Sequence, residues 1–252
     1  MDDPLLVNDF VRFIIEEKRG AVIGVAVSKP GQLKTKKARV DLRYAMSLLI
    51  IAGFVESFKQ SMEASKFRVK KYLSKIFERV KSPSIIQFAK DRGIPAWEVN
   101  SINDPKFLEI LKELEPDIVI NQAQEIIGEK FLSIPRLGVV NRHNSLLPKY
   151  RGRLAPFWAL YNKEKETGVT IHFITEAIDE GEIIVQRKIE IIDDDNYVTI
   201  TKKCYEVAAE AMIEAIELLE NKKDFKGIKI SSEMGSYYSC PRIRDAIKFR
   251  FK

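Results

Sequence analysis

The chain contains two histidines in 252 residues, and one of them, His143, stands among groups that can put it to chemical use. The run is Asn141-Arg142-His143-Asn144-Ser145-Leu146-Leu147-Pro148-Lys149-Tyr150-Arg151-Gly152. An imidazole takes up and releases a proton near neutral pH, so it can shuttle one between two reacting groups. Two residues earlier, the Asn141 carboxamide can donate a hydrogen bond to an oxygen on which charge develops. Further along, Asp179 can orient an imidazole through hydrogen bonding. Together these groups suit chemistry at a carbonyl carbon: proton transfer beside a stabilised oxyanion. Each also has a plainer reading. Asn141 can cap a strand end, His143 can be a packed histidine, and Asp179 can be a turn residue before Gly181. The second histidine, His172, lies inside Thr170-Ile171-His172-Phe173 and reads as a packed, hydrogen-bonded support.

These residues need a scaffold. Leu137 to Asn141 reads as a strand that delivers the motif to its carboxyl end. Before it, β-branched runs at 21–27, 97–99 and 116–121 alternate with helical spacings at 5–17, 40–61, 64–77, 85–91 and 104–114. Asp104-Pro105 is a cap followed by proline in the first turn. Strands alternating with helices predict an α/β domain, a mostly parallel sheet with helices on both faces, which binds ligands beyond the carboxyl ends of its strands. The strands predicted at 169–174 and 183–191 lie closer together, which suggests an antiparallel addition. Residues 199–219 form a long amphipathic helix, and 222–252 read as mixed and tail-like. Residues 1–220 are therefore expected to form the catalytic domain and 221–252 a short C-terminal extension. Domains of this class usually open on a strand, whereas this sequence opens on a helix after Asp2-Asp3-Pro4. A missing first strand and a genuine departure of the fold both fit that beginning.

Composition narrows the class. With 45% hydrophobic and 31% charged residues the chain is ordinary for a globular protein. The start lacks a basic, signal-like region. The longest apolar run, Ala45 to Val55, is about half of the ~20 residues that a membrane span needs. Cys204 and Cys240 have no paired or metal-binding spacing, which fits reduced thiols, a cytoplasmic protein and no zinc. The net charge of +6 comes from 42 basic and 36 acidic residues. Between Lys66 and Lys81 seven cations (Lys66, Arg68, Lys70, Lys71, Lys75, Arg79 and Lys81) face Glu78 alone. A solvated helix face, a phosphate-rich partner such as RNA, and a peripheral membrane contact all fit that segment.

The motif from Asn141 to Gly152, followed by Thr167-Gly168-Val169-Thr170-Ile171-His172 and Ile178-Asp179-Glu180-Gly181-Glu182-Ile183-Ile184-Val185-Gln186, resembles the formyltransferases that use 10-formyltetrahydrofolate. The resemblance is good over about residues 80–220 and loose before that. It implies a Rossmann-like formyltransferase fold and a catalytic set of Asn141, His143 and Asp179. It implies a formyl group passing from a folate nitrogen to a neutral primary amine through a tetrahedral intermediate, with no Ser or Cys nucleophile and no metal. Loss of an oxyanion donor in such chemistry costs ~10²–10³ in rate. The resemblance further implies a pterin slot built largely of backbone groups. The matching segments are Gln124, Glu125, Ile126 and Ile127, and Thr175, Glu176 and Ile178. Gln122-Ala123-Gln124-Glu125 departs from the small, glycine-containing loop of relatives.

For the acceptor, Ser145, Tyr150, Arg151 and Arg153 are the expected contacts. Tyr150-Arg151-Gly152 with Pro156-Phe157-Trp158 is most similar to sugar N-formyltransferases. That implies a nucleotide-linked amino sugar, its rings stacked on aromatics and its phosphates met by Arg151 or Arg153. Methionyl-tRNA and glycinamide ribonucleotide are the alternative acceptors, and a non-catalytic folate- or nucleotide-binding relative is a further one. A homodimer is compatible with the sequence.

Overall fold

The computed structural model describes residues 3, 5–29, 40–123, 125–221 and 227–251. The chain divides into two compact units: Met1–Leu33 with Gln60–Val140, and Lys34–Lys59 with Asn141–Lys252.

In the first unit, helix α1 (Val7–Glu17) precedes strand β1 (Val25–Ser28), which pairs in parallel with β2 (Ala96–Val99), Val25 opposite Ala96. Between those strands in sequence lies α4 (Ile85–Lys90). Ile15, Val27, Ile85, Ala89 and Ile94 bury one another there. Burial of such side chains is worth roughly 1.5–3 kcal/mol each and fixes the βαβ arrangement. Helix α5 (Pro105–Leu114) begins as its sequence dictates. The Asp104 carboxylate accepts the Lys106 N–H at 3.0 Å, and Pro105 occupies the first turn, where no N–H is needed. Strand β3 (Ile118–Asn121) and the short helix α6 (Glu129–Leu132) lead into β4 (Gly138–His143), which neighbours β3.

The second unit carries β5 (Arg151–Gly152), α7 (Ala155–Tyr161), β6 (Glu166–Phe173), β7 (Ile183–Glu190) and α8 (Tyr197–Asn221). Strands β6 and β7 run antiparallel, Thr170 opposite Gln186, as the spacing suggested. Six consecutive β6 residues, Thr167 to His172, are buried, as in an inner strand covered on both faces. On one side of α8, Ile200, Cys204, Ala208, Met212 and Ala215 are fully buried. Among the described residues no helix is long and apolar enough to cross a membrane.

Two expectations change. The helical region 40–77 breaks at Gly53, not near residue 62, giving α2 (Val40–Ala52) and α3 (Phe54–Ile76). Gly53 adopts φ 83°, a left-handed turn that side chains resist. The segment read as a tail is built into the second unit. Strand β8 (Tyr237–Tyr238) pairs in parallel with β5, and helix α9 (Ile243–Arg250) buries Ala246 in a cluster with Ile51, Phe157 and Trp158. Its polar, charged sequence conceals this because few of its residues reach the core.

Candidate active site

Asn141 and His143 lie on β4 itself, which runs two residues further than the sequence suggested. Side chains two apart on a strand share a face, so carboxamide and imidazole project together. Arg142 points to the other face, its guanidinium 3.8 Å above the Tyr205 ring. His143 is buried and Asn141 half-buried. Among the described residues none hydrogen-bonds the Asn141 carboxamide.

One contact fixes the tautomer of His143. Its Nε2 lies 2.8 Å from the Tyr150 carbonyl oxygen, which can only accept, so Nε2 carries a proton and donates. In the neutral ring the lone pair is therefore on Nδ1. That atom faces Asp179 Oδ2 at 3.5 Å. A proton picked up at Nδ1 arrives directly opposite a carboxylate.

The turn that supplies the Tyr150 carbonyl is pinned from several directions. Ser145 Oγ donates to the Lys149 carbonyl at 2.7 Å. Thr170 Oγ1 donates to the Ser145 carbonyl at 2.6 Å and accepts from the Leu147 N–H at 3.1 Å. Gln186 Nε2 donates to the Leu147 carbonyl and to Thr170 Oγ1, both at 2.9 Å. The Leu147–Pro148 peptide is cis. From the C-terminal segment, Ser236 accepts the Arg151 N–H on its carbonyl and the Tyr150 N–H on its hydroxyl. Thr170 and Gln186 lay within the sequence motif, though nothing marked them as braces. Ser236 carried no signal at all.

Asp179 is held from below. Its Oδ2 accepts the Gly152 N–H at 2.8 Å, and its backbone adopts φ 53°. Gly152 itself sits at φ 96°, and a Cβ there would lie 2.3 Å from the Tyr238 carbonyl oxygen. Replacing Gly152 by alanine is expected to cost at least about 1–3 kcal/mol in backbone strain, before the clash is counted. Urea unfolding of Gly152→Ala should show a lower midpoint, and an unchanged midpoint would contradict this role.

The other carboxylate oxygen, Oδ1, lies 3.8 Å from His172 Nε2. His172 Nδ1 donates to the Phe173 carbonyl at 2.8 Å, so Nε2 bears the lone pair and has no hydrogen-bond partner among the described residues. Burial, reinforced by the neighbouring His143, pushes the His172 pKa below its ordinary 6.5, although Asp179 pulls the other way. The ring is therefore neutral near pH 7, and its approach to Asp179 is not an ion pair. An unfolded His172 binds a proton at a pH where the folded one does not, so acid favours unfolding below pH 6.5 and alkali removes the effect. Relative to His172→Gln, the wild type is expected to lose up to about 1.4 kcal/mol per pH unit on acidification below about 6.5. Parallel stability profiles for the two proteins would contradict it.

Several expected binding residues have internal partners. Ser145 is fully buried in its turn. Tyr150 is buried, its hydroxyl donates to Glu164 at 2.7 Å, and burial with that bond pushes its pKa up to about 12. Arg151 is buried and paired with Glu180. Trp158 is a core residue whose ring N–H donates to the Ser239 carbonyl at 3.1 Å. These side chains serve the scaffold, because a buried donor must find its partner inside the protein. Arg153 is exposed. Thr175, Glu176 and Ile178 are also exposed, on the loop that ends at Asp179. In the first unit, Glu125 braces its own loop, accepting from the Ser101 hydroxyl and from the Ile102 N–H, while the Ile126 carbonyl accepts from Asn103. Ile126 is exposed and Ile127 half-buried. Gln124 lies outside the described residues. Cys204 is buried and its thiol pushed up to about 12, which leaves no thiolate to attack a carbonyl.

A family model described as formyl transferase matches residues 55–216. The chain belongs to the formyl transferase family. Among its relatives, the methionyl-tRNA formyltransferase of Kosmotoga olearia is 43% identical over 132 residues, 52% of this chain and 42% of that protein. The methionyl-tRNA formyltransferase of Thermodesulfovibrio yellowstonii is 40% identical over 141 residues, 56% of this chain and 46% of that protein. The matches thus span less than half the length of these relatives. The crystal structure of phosphoribosylglycinamide formyltransferase from Bacillus halodurans aligns with a TM-score of 0.57 at 21% identity, covering 86% of this chain and 92% of that one. At that identity the likeness is one of fold, and it agrees with the expected Rossmann-like architecture.

Proposed function

We propose that Asn141, His143 and Asp179 transfer a formyl group from 10-formyltetrahydrofolate to a primary amine by direct attack. The observation that carries this reading is the fixed orientation of His143: Nε2–H bonded to the Tyr150 carbonyl, Nδ1 turned to Asp179 at 3.5 Å. The amine lone pair adds to the formyl carbon, and the carbonyl electrons move to oxygen. Asn141 donates to that oxygen as charge develops. His143 Nδ1 takes the proton that the attacking nitrogen sheds, and Asp179 stabilises the resulting imidazolium. The same proton passes to the folate nitrogen as its bond to the formyl carbon breaks. The products are a formamide and tetrahydrofolate, and His143 returns to its starting state. The exposed peptide groups of Thr175 to Ile178 adjoin Asp179 in sequence and suit backbone recognition of the pterin. The Thr175 hydroxyl is engaged locally with the Ala177 carbonyl.

Methionyl-tRNA is the proposed acceptor, as the names of the sequence relatives favour it over the amino sugar. Of the residues that suggested a sugar, Arg153 stays exposed, while the others have internal partners. The Tyr150 and Trp158 rings are packed against Tyr238, and Arg151 is engaged by Glu180, which leaves neither a stacking platform nor a phosphate fork at those positions. The test offers 10-formyltetrahydrofolate with methionyl-tRNA, glycinamide ribonucleotide and a nucleotide-linked amino sugar. Formylation of methionyl-tRNA is expected. Formylation of the sugar alone would overturn the acceptor while leaving the reaction intact.

A further inference from the structure

Helix α3 is turned inside out. Plotted at 100° per residue, Phe54, Phe58, Met62, Val69, Tyr72 and Ile76 fall on one side of the helix, in a row that Ser65 alone interrupts between Met62 and Val69. In an ordinary surface helix that row faces the core. Here these side chains are 42–77% exposed, and no described residue of the helix is fully buried. Its half-buried side is instead the row Gln60, Ala64, Phe67, Lys71 and Ser74. Helix α2 shows a similar exposed row in Leu42, Met46 and Leu49. An apolar surface this long is rarely left in water, so it calls for a partner.

The charges choose the partner. The helix carries six basic and two acidic side chains, a net +4. Lys66 and Lys70 border the apolar row on one edge, Arg68 and Lys75 on the other. Glu56 and Glu63 lie away from the row, where they pair with Lys59 and Lys66 at 2.8 and 2.7 Å. A second copy laid against this row would bring cations onto cations along both edges. An RNA backbone would satisfy the cations and leave the apolar row wet. A surface that is apolar within and anionic at its rim satisfies both.

We propose that α3 lies on an anionic lipid surface, its apolar row at the acyl boundary and its flanking cations among the phosphates. At 23 residues it is about 35 Å long, enough to lie flat across several headgroups. Long basic stems suit this geometry, because lysine and arginine bury their methylenes beside the apolar row and extend their charges to the interface. It is a contact on the membrane surface, consistent with the absence of a spanning helix among the described residues.

Co-sedimentation of the full chain with vesicles tests it, using phosphatidylglycerol–phosphatidylcholine mixtures beside phosphatidylcholine alone. Binding is expected to the mixed vesicles, weak or absent to the neutral ones, and reduced by high salt. Lys70→Ala with Lys75→Ala should weaken binding about fivefold per cation, some 25-fold together. Phe58→Glu with Ile76→Glu should abolish binding and leave the circular dichroism spectrum unchanged, since both side chains are exposed. No binding to anionic vesicles overturns the proposal. So does binding unaffected by Phe58→Glu with Ile76→Glu, which marks simple charge attraction. Concentration-dependent dimerisation lost in that double variant points to a second copy, and RNA retention that survives it points to nucleic acid; either result, without vesicle binding, also overturns it.

Discussion

His143→Ala is expected to lower kcat for formyl transfer by about 10²–10⁴, the usual worth of a positioned general acid–base. The donor should still bind, because the proposed mechanism gives the imidazole only the proton transfer and leaves the pterin to the backbone of residues 175–178. His143 has two tasks in this geometry, and both depend on Nδ1. It must be empty when the amine attacks and protonated when the folate nitrogen leaves. The Tyr150 carbonyl secures the first by holding the other proton on Nε2 at 2.8 Å. Alanine removes both functions and leaves Asn141, the oxyanion donor, in place. Residual transfer above the uncatalysed rate is therefore expected. Pre-steady-state mixing with donor and acceptor separates binding from chemistry. A His143→Ala enzyme within tenfold of the wild-type kcat would contradict the assignment.

Asp179→Asn comes next in size and separates charge from structure. The amide oxygen can still accept the Gly152 N–H at the position now held by Oδ2. The new NH₂ then falls where Oδ1 stands, facing the His172 Nε2 lone pair that has no partner in the wild type. Stability should thus change by less than about 1 kcal/mol, an ordinary net value for one hydrogen bond. Catalysis should not survive so well. Opposite charges 3.5 Å apart attract by about 4–5 kcal/mol at an effective dielectric constant of about 20. Losing that attraction for the imidazolium form is worth about 10³ in rate. The expected result is a fall of about 10³ in kcat with an unchanged urea midpoint. Unchanged kcat would show that Asp179 merely closes its turn. A large loss of stability would show that the charge holds the loop.

That Asn141, His143 and Asp179 come together could be read from the sequence because the elements that carry them are local and rigid. Asn141 and His143 are two apart at a strand end, and a strand fixes that geometry without help from distant residues. Asp179 is brought to them by one antiparallel pair, β6 with β7, whose signals were strong. The internal partners on the expected acceptor side were not legible for a physical reason. Tyr, Arg and Trp are the residues that bind sugars and phosphates, and also those that close internal hydrogen bonds at the edge of a core. Sequence does not show that Glu164 takes the Tyr150 hydroxyl or that Glu180 takes Arg151, since those partners lie 14 and 29 residues away. The C-terminal segment was hidden similarly. Tyr237-Tyr238 contributes mainly backbone and ring stacking to β5, and a two-residue strand leaves no periodicity to detect. Helix α3 is the reverse case: its amphipathic period was plain, and the direction in which it points was not.

The most direct test of the central claim is single-turnover formyl transfer from 10-formyltetrahydrofolate to methionyl-tRNA, followed by tetrahydrofolate release, with wild type and Asn141→Ala side by side. Stoichiometric release with formation of the formamide is expected from the wild type, and a rate some 10²–10³ lower from Asn141→Ala. Equal rates in the two proteins would contradict the claim that this strand end is where the formyl group is transferred.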